Sequence, residues 1–163
     1  MIRAAALATL LFLAPVAAPA QTTQSDQPTA SGAAVLMAPA LRATDLDRSV
    51  KFYGTALGLV VGTTLHHGAE TEVILCSDAH MRQTAIILFR DETPGKSPPV
   101  VLGNGFGRVV MRVPDVAAVA ARMKAAGYPV GEVRASGVGP SILKITDPDG
   151  YAFELVQVGP AHG

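Results

Sequence analysis

Arginine, glutamate, histidine and cysteine are the residue types here that could do chemistry, and spacing decides which can act together. Near the C-terminus Ala152, Glu154 and Val156 alternate with Tyr151, Phe153 and Leu155. Alternate residues of a strand share a face, so Glu154 stands on the side opposite two aromatic rings and a leucine. Upstream, Arg108, Val110 and Arg112 alternate with Val109, Met111 and Val113, which collects two guanidiniums on one face and apolar groups on the other. A carboxylate with guanidiniums nearby supports two chemistries: proton abstraction by the carboxylate, or capture of an anion by the arginines.

The remaining reactive types are less promising. His66 and His67 are adjacent, so a strand would point them to opposite faces and only one could enter a shared site. His80 lies in the loop sequence S-D-A-H-M and His162 is in the tail; these read as surface and loop positions. Cys76 is the sole cysteine, which excludes an intrachain disulfide. Its setting, V-I-L-C, reads as a buried thiol acting as a small hydrophobe. With 13 basic and 13 acidic residues and no basic stripe, the chain lacks the electrostatic footprint of a nucleic-acid binder.

The elements that must position these side chains come in two copies. Leu41-Arg42-Ala43-Thr44-Asp45 leads into a helical stretch that stops at Gly58, and Met111-Arg112-Val113-Pro114-Asp115 leads into one that stops at Gly127. Asp45 and Asp115 sit where N-caps are expected, the glycines where left-handed C-caps are expected. Val50, Phe52, Tyr53 and Leu57 keep near-helical spacing, as do Val116, Val119 and Met123. Arg122 and Lys124 suit the negative end of their own helix.

Three strand-like runs follow each helix: 59–66, 71–76 and 83–90, then 128–134, 141–146 and 151–158. Asp147-Pro148-Asp149-Gly150 reads as the turn joining the last two. Module one therefore spans about 36–90, a Pro- and Gly-bearing linker 91–106, and module two about 107–158. The predicted fold class is α+β, two tandem βαβββ units.

Ahead of this domain (35–160), residues 1–20 read as a secretory signal. Arg3 supplies a charge, an Ala- and Leu-rich run follows, and Ala18-Pro19-Ala20 suits cleavage after Ala20. The run is too short to span a bilayer and contains Pro15. Residues 21–34, polar and small, read as a flexible tether. A periplasmic or secreted protein with no membrane span in its mature form is expected.

The stretch Asp45–Gly58, D-L-D-R-S-V-K-F-Y-G-T-A-L-G, together with Asp147–Leu155, D-P-D-G-Y-A-F-E-L, resembles the vicinal-oxygen-chelate superfamily of glyoxalases, bleomycin-resistance proteins and dioxygenases. The resemblance covers about 36–158. It implies a curved sheet cup with helices outside and a ligand site inside, and members often dimerise. It also implies four metal-ligand positions, matched here by Ala38, Leu88, Arg108 and Glu154. Only Glu154 can ligate: an alanine, a leucine and a guanidinium offer no lone pair. The expectation is that no metal cofactor is retained and that Arg108 takes the cation's place beside Glu154. On strand alternation Ala38, Ala40 and Arg42, and likewise Ile86, Leu88 and Arg90, are expected to face the cup. Arg42 matches an arginine that in glyoxalase I contacts a glutathione carboxylate; alternatively it pairs with Asp45 or Asp47.

Three functions fit. One is a metal-independent binder of a small amphipathic or anionic molecule, held by Arg108, Arg42 and Arg112. Another is a glyoxalase-like lyase or isomerase with Glu154 as general base. The third is a non-catalytic homodimeric scaffold. Dioxygenase chemistry is disfavoured, because Arg108 stands where its triad needs a histidine.

Overall fold

The computed structural model describes residues 34–78, 80, 83–134, 139–157 and 159. The secretory signal predicted over 1–20, all of the predicted tether except Ala34, and His162 lie outside them. Asp45 is extended and accepts the Arg48 N–H at 3.0 Å, which opens helix α1 (Leu46–Leu57). Gly58 ends it in the left-handed conformation, φ 72°, with its N–H donating to the Gly54 carbonyl. Ser49, Phe52, Tyr53 and Ala56 are buried along one stripe. In helix α2 (Val116–Ala125) the Asp115 carboxylate caps Ala117 and Ala118, and Val116, Val119 and Met123 are buried.

Strands β1 (Ala40–Arg42), β2 (Val60–His67), β3 (Glu70–Cys76) and β4 (Thr84–Asp91) form one mixed sheet, ordered β1-β4-β3-β2 with β1 parallel to β4. Strands β5 (Val109–Arg112), β6 (Ser141–Thr146) and β7 (Ala152–Gln157) form a second, ordered β5-β7-β6 with β5 parallel to β7. The fold is α+β, and β2, β3 and β4 fall within a residue of the predicted runs 59–66, 71–76 and 83–90.

The predicted strand 128–134 does not form. Pro129 has no N–H to give a ladder. A side chain at Gly131 would stand 3.3 Å from the Lys144 carbonyl, so the segment runs close beside β6. It pairs only at Arg134, which exchanges two 2.9 Å hydrogen bonds with Ile142.

The core lies on the helix side of both sheets. Tyr53 meets Phe52 and Phe153 edge-on at 5.3 and 5.6 Å, joining α1 to β7. Arg122, expected to serve its own helix, reaches across to α1. Its Nη2 donates to the Ala56 carbonyl at 2.9 Å and its Nε to Thr55 at 3.3 Å, carbonyls of the last α1 turn. Among the described residues no helix is long and apolar enough to cross a membrane.

Candidate functional site

The two sequence motifs bond to one another. The Asp149 side chain, 3% exposed, accepts from the Thr44 hydroxyl and N–H, from Arg48 Nη2 at 2.8 Å and from Ser49 Oγ at 3.2 Å. Asp147 accepts from the Tyr53 hydroxyl at 2.6 Å and from the N–H groups of Asp149 and Tyr151. Burial pushes the Asp147 carboxyl above the usual range, against those hydrogen bonds. Burial, and then the Asp147 carboxylate, hold the Tyr53 phenol far above its own range, so it remains a donor. These contacts tie the start of α1 to the β6–β7 turn and fix the second sheet against the first helix.

On that sheet the register sets Glu154 beside Val110 on β5 and Lys144 on β6. Arg108, just before β5, places Nε 3.0 Å from Glu154 Oε2, with side chains 52% and 16% exposed. The expected pair is therefore present. Arg112 is exposed one step further along the same face as Val110.

The first sheet corrects one parity. Ile86 and Leu88 are 0% and 1% exposed and belong to the core, so they point to the helices and not to the open face. The cause is that β1 and β4 run parallel with Leu41 beside Leu88, and both supply the apolar layer under α1. The β4 residues turned the other way are Ile87 and Phe89. Arg90, two further on from Leu88, pairs instead with Glu92 at 3.0 Å. Arg42 does not pair with Asp45 or Asp47; its guanidinium lies over the Phe89 ring, 5.3 Å from the centroid.

The residues at the family's ligand positions do not fit a metal. Ala38 offers a methyl group, Leu88 is buried in the core, its outward neighbour Ile87 has no donor, and Arg108 carries its positive charge to Glu154. A divalent ion there would gain one carboxylate and meet a guanidinium. Elsewhere, His66 Nδ1 is 3.1 Å from Thr71 Oγ1, His67 Nε2 is 3.8 Å from Glu72, and Cys76 is a buried free thiol.

Two cavities adjoin the second sheet. The larger, about 890 Å³, lies where β5 and β7 begin and β6 ends. Phe52 and Arg48 of α1 border it on one side, and the segment Tyr128–Gly131 on another. The smaller, about 420 Å³, reaches Glu132, Arg134, Ile142 and Glu154. Gly131 and Lys144 border both. Lys144 had not been singled out from sequence. Counting outward from the four-residue D-P-D-G turn would set Lys144 opposite Phe153; the connection includes Tyr151 as a fifth residue, which moves the pairing to Thr146 with Ala152 and Lys144 with Glu154.

Residues 35–155 match the model of the Glyoxalase/Bleomycin resistance protein/Dioxygenase superfamily, and the chain belongs to that family. A probable lactoylglutathione lyase of Vibrio parahaemolyticus is 32% identical over 130 residues, covering 72% of this chain and 86% of that protein. The Vibrio cholerae protein of the same description is 30% identical over 135 residues, with 75% and 89% covered. Among solved structures, the trypanothione-dependent glyoxalase I of Leishmania major aligns with TM-score 0.63 at 26% identity, covering 77% of this chain and 87% of that one. The antibiotic-binding protein TnmS3 of a Streptomyces species shares the fold, with TM-score 0.57 at 18% identity and 78% and 98% covered.

Proposed function

We propose that this chain is an exported, metal-independent binder of a small anionic or amphipathic molecule, working on the superfamily scaffold without the superfamily's metal. The Arg108–Glu154 ion pair carries the reading. Its guanidinium supplies the positive charge that would otherwise come from an ion. Arg108 meets Glu154 through Nε at 3.0 Å while its side chain stays 52% exposed, within reach of an incoming carboxylate. Arg112 on the same strand and Arg42 on the first sheet are the further basic groups. Export rests on the sequence of residues 1–20. A homodimer is part of the proposal: Val60, Val61, Leu65 and Val110 leave apolar surface that a second copy would cover.

The second reading is a glyoxalase-like lyase, favoured by the names of the Vibrio relatives. Glu154 would take the proton beside a carbonyl and Arg108 would face the developing oxyanion. One assay separates the two: the mature protein mixed with methylglyoxal and reduced glutathione, followed for lactoylglutathione with and without added divalent ions. No product in either condition is expected. Turnover abolished by Glu154→Gln would replace the binder with the lyase.

A further inference from the structure

We propose that the 890 Å³ cavity at the end of the second sheet is a binding site for an aromatic or apolar monoanion, with Lys144 as the residue that selects the charge. The proposal rests on the reading of the chain as a binder and places the ligand beyond the open faces of the sheets. The volume suits a molecule of drug-like size. Its walls are mainly apolar: Phe52, Tyr128, Pro129, Val130, Ile145 and Phe153 offer ring faces and aliphatic surface.

The charged groups on the wall are already committed, with one exception. Arg48 bonds to Asp149 and Thr44. Asp147 is taken by Tyr53 and two backbone N–H groups. Arg108 holds Glu154. Glu154 is the register neighbour of Lys144, yet its carboxylate is held by Arg108, and among the described residues Lys144 makes no ion pair. One uncommitted ammonium beside an apolar cavity matches one negative charge on an apolar body. A dianion such as a phosphate monoester would leave charge unmatched. Gly131, whose missing side chain lets the 128–131 segment lie against the Lys144 carbonyl, stands on the wall that both cavities share.

The test uses two fluorescent probes of nearly the same shape, 8-anilinonaphthalene-1-sulfonate and the neutral N-phenyl-1-naphthylamine, titrated into the full mature chain. Saturable one-site binding of the sulfonate is expected. Lys144→Met should weaken it about tenfold, the effect of losing one charge-assisted contact, and leave the neutral probe unchanged. Lys144 is exposed, and an unchanged urea midpoint certifies that the variant is folded. Lys51→Met, exposed on α1 and outside both cavities, should change neither probe. Unaltered sulfonate binding in Lys144→Met overturns the site. Loss of binding in Arg112→Met or Arg42→Met with Lys144→Met unaffected would move the anion to the open faces, rejecting this site while the binder reading stands. No saturable binding of the sulfonate by the wild type also rejects it.

Discussion

Tyr53 donates a 2.6 Å hydrogen bond to Asp147 across 94 residues of chain, and both side chains are buried. One comes from each of the two motifs that mark the family, so the motifs hold the modules together as well as shaping the local turns. Replacing Tyr53 by Phe keeps the ring among Phe52 and Phe153 and removes only the donor. A loss of about 1–3 kcal/mol is expected, the cost of leaving a buried acceptor unpaired. Urea denaturation checks it, with an unchanged slope showing that the two states expose the same surface.

The same carboxylate gives a pH dependence. Because Asp147 holds its proton to a higher pH in the fold than its ordinary 3.8, the folded state binds more protons than the unfolded chain above that value. The stability this contributes is fully present below pH 3.8 and is lost as pH rises through the raised value. Comparing wild type with Asp147→Asn, the wild type's relative stability should therefore fall from acid towards neutral pH. A gap that instead moves in the wild type's favour over that range would contradict the assignment.

Arg122 closes the end of α1 from the neighbouring helix. Arg122→Met keeps much of the aliphatic stem and removes both hydrogen bonds to Thr55 and Ala56. A loss of about 1 kcal/mol is expected from thermal denaturation, the scale of a partly exposed hydrogen bond. Arg122→Lys should recover only part of it, since a lysine cannot present the fork.

Glu154→Gln frees the Arg108 guanidinium without altering the shape of the strand. Affinity for 8-anilinonaphthalene-1-sulfonate should rise severalfold, because an anion no longer competes with a resident carboxylate. Unfolding free energy should move by less than about 1 kcal/mol, as expected for a pair whose arginine is half exposed.

How much of this could be read from the sequence depends on how far apart the partners lie along the chain. Capping aspartates, helix-ending glycines and the strands around β3 are local signals, and they were legible. The Arg108–Glu154 pair was legible too, because the family resemblance sets both residues at ligand positions and alternation gives each strand one face for them. Leu88 was misplaced by a single step of parity. Nothing within I-I-L-F says which residue lies under α1 until Leu41 is seen beside it. The segment after α2 carried the apolar residues of a strand, but Pro129 and the close approach at Gly131 left it with one bridge. Asp147 and Asp149 read as turn formers; their buried partners, Tyr53, Ser49 and Thr44, lie about a hundred residues away and left no local trace.

The central claim is that Arg108 stands in for the family's ion, and metal binding tests it most directly. The protein, purified without an affinity tag, is assayed for metal content and then titrated calorimetrically with Zn, Ni, Mn and Fe(II). The expected result is no stoichiometric metal as isolated and no saturable binding of any of the four ions. Stoichiometric metal, lost in Glu154→Gln, would contradict it and return the protein to metal-dependent chemistry.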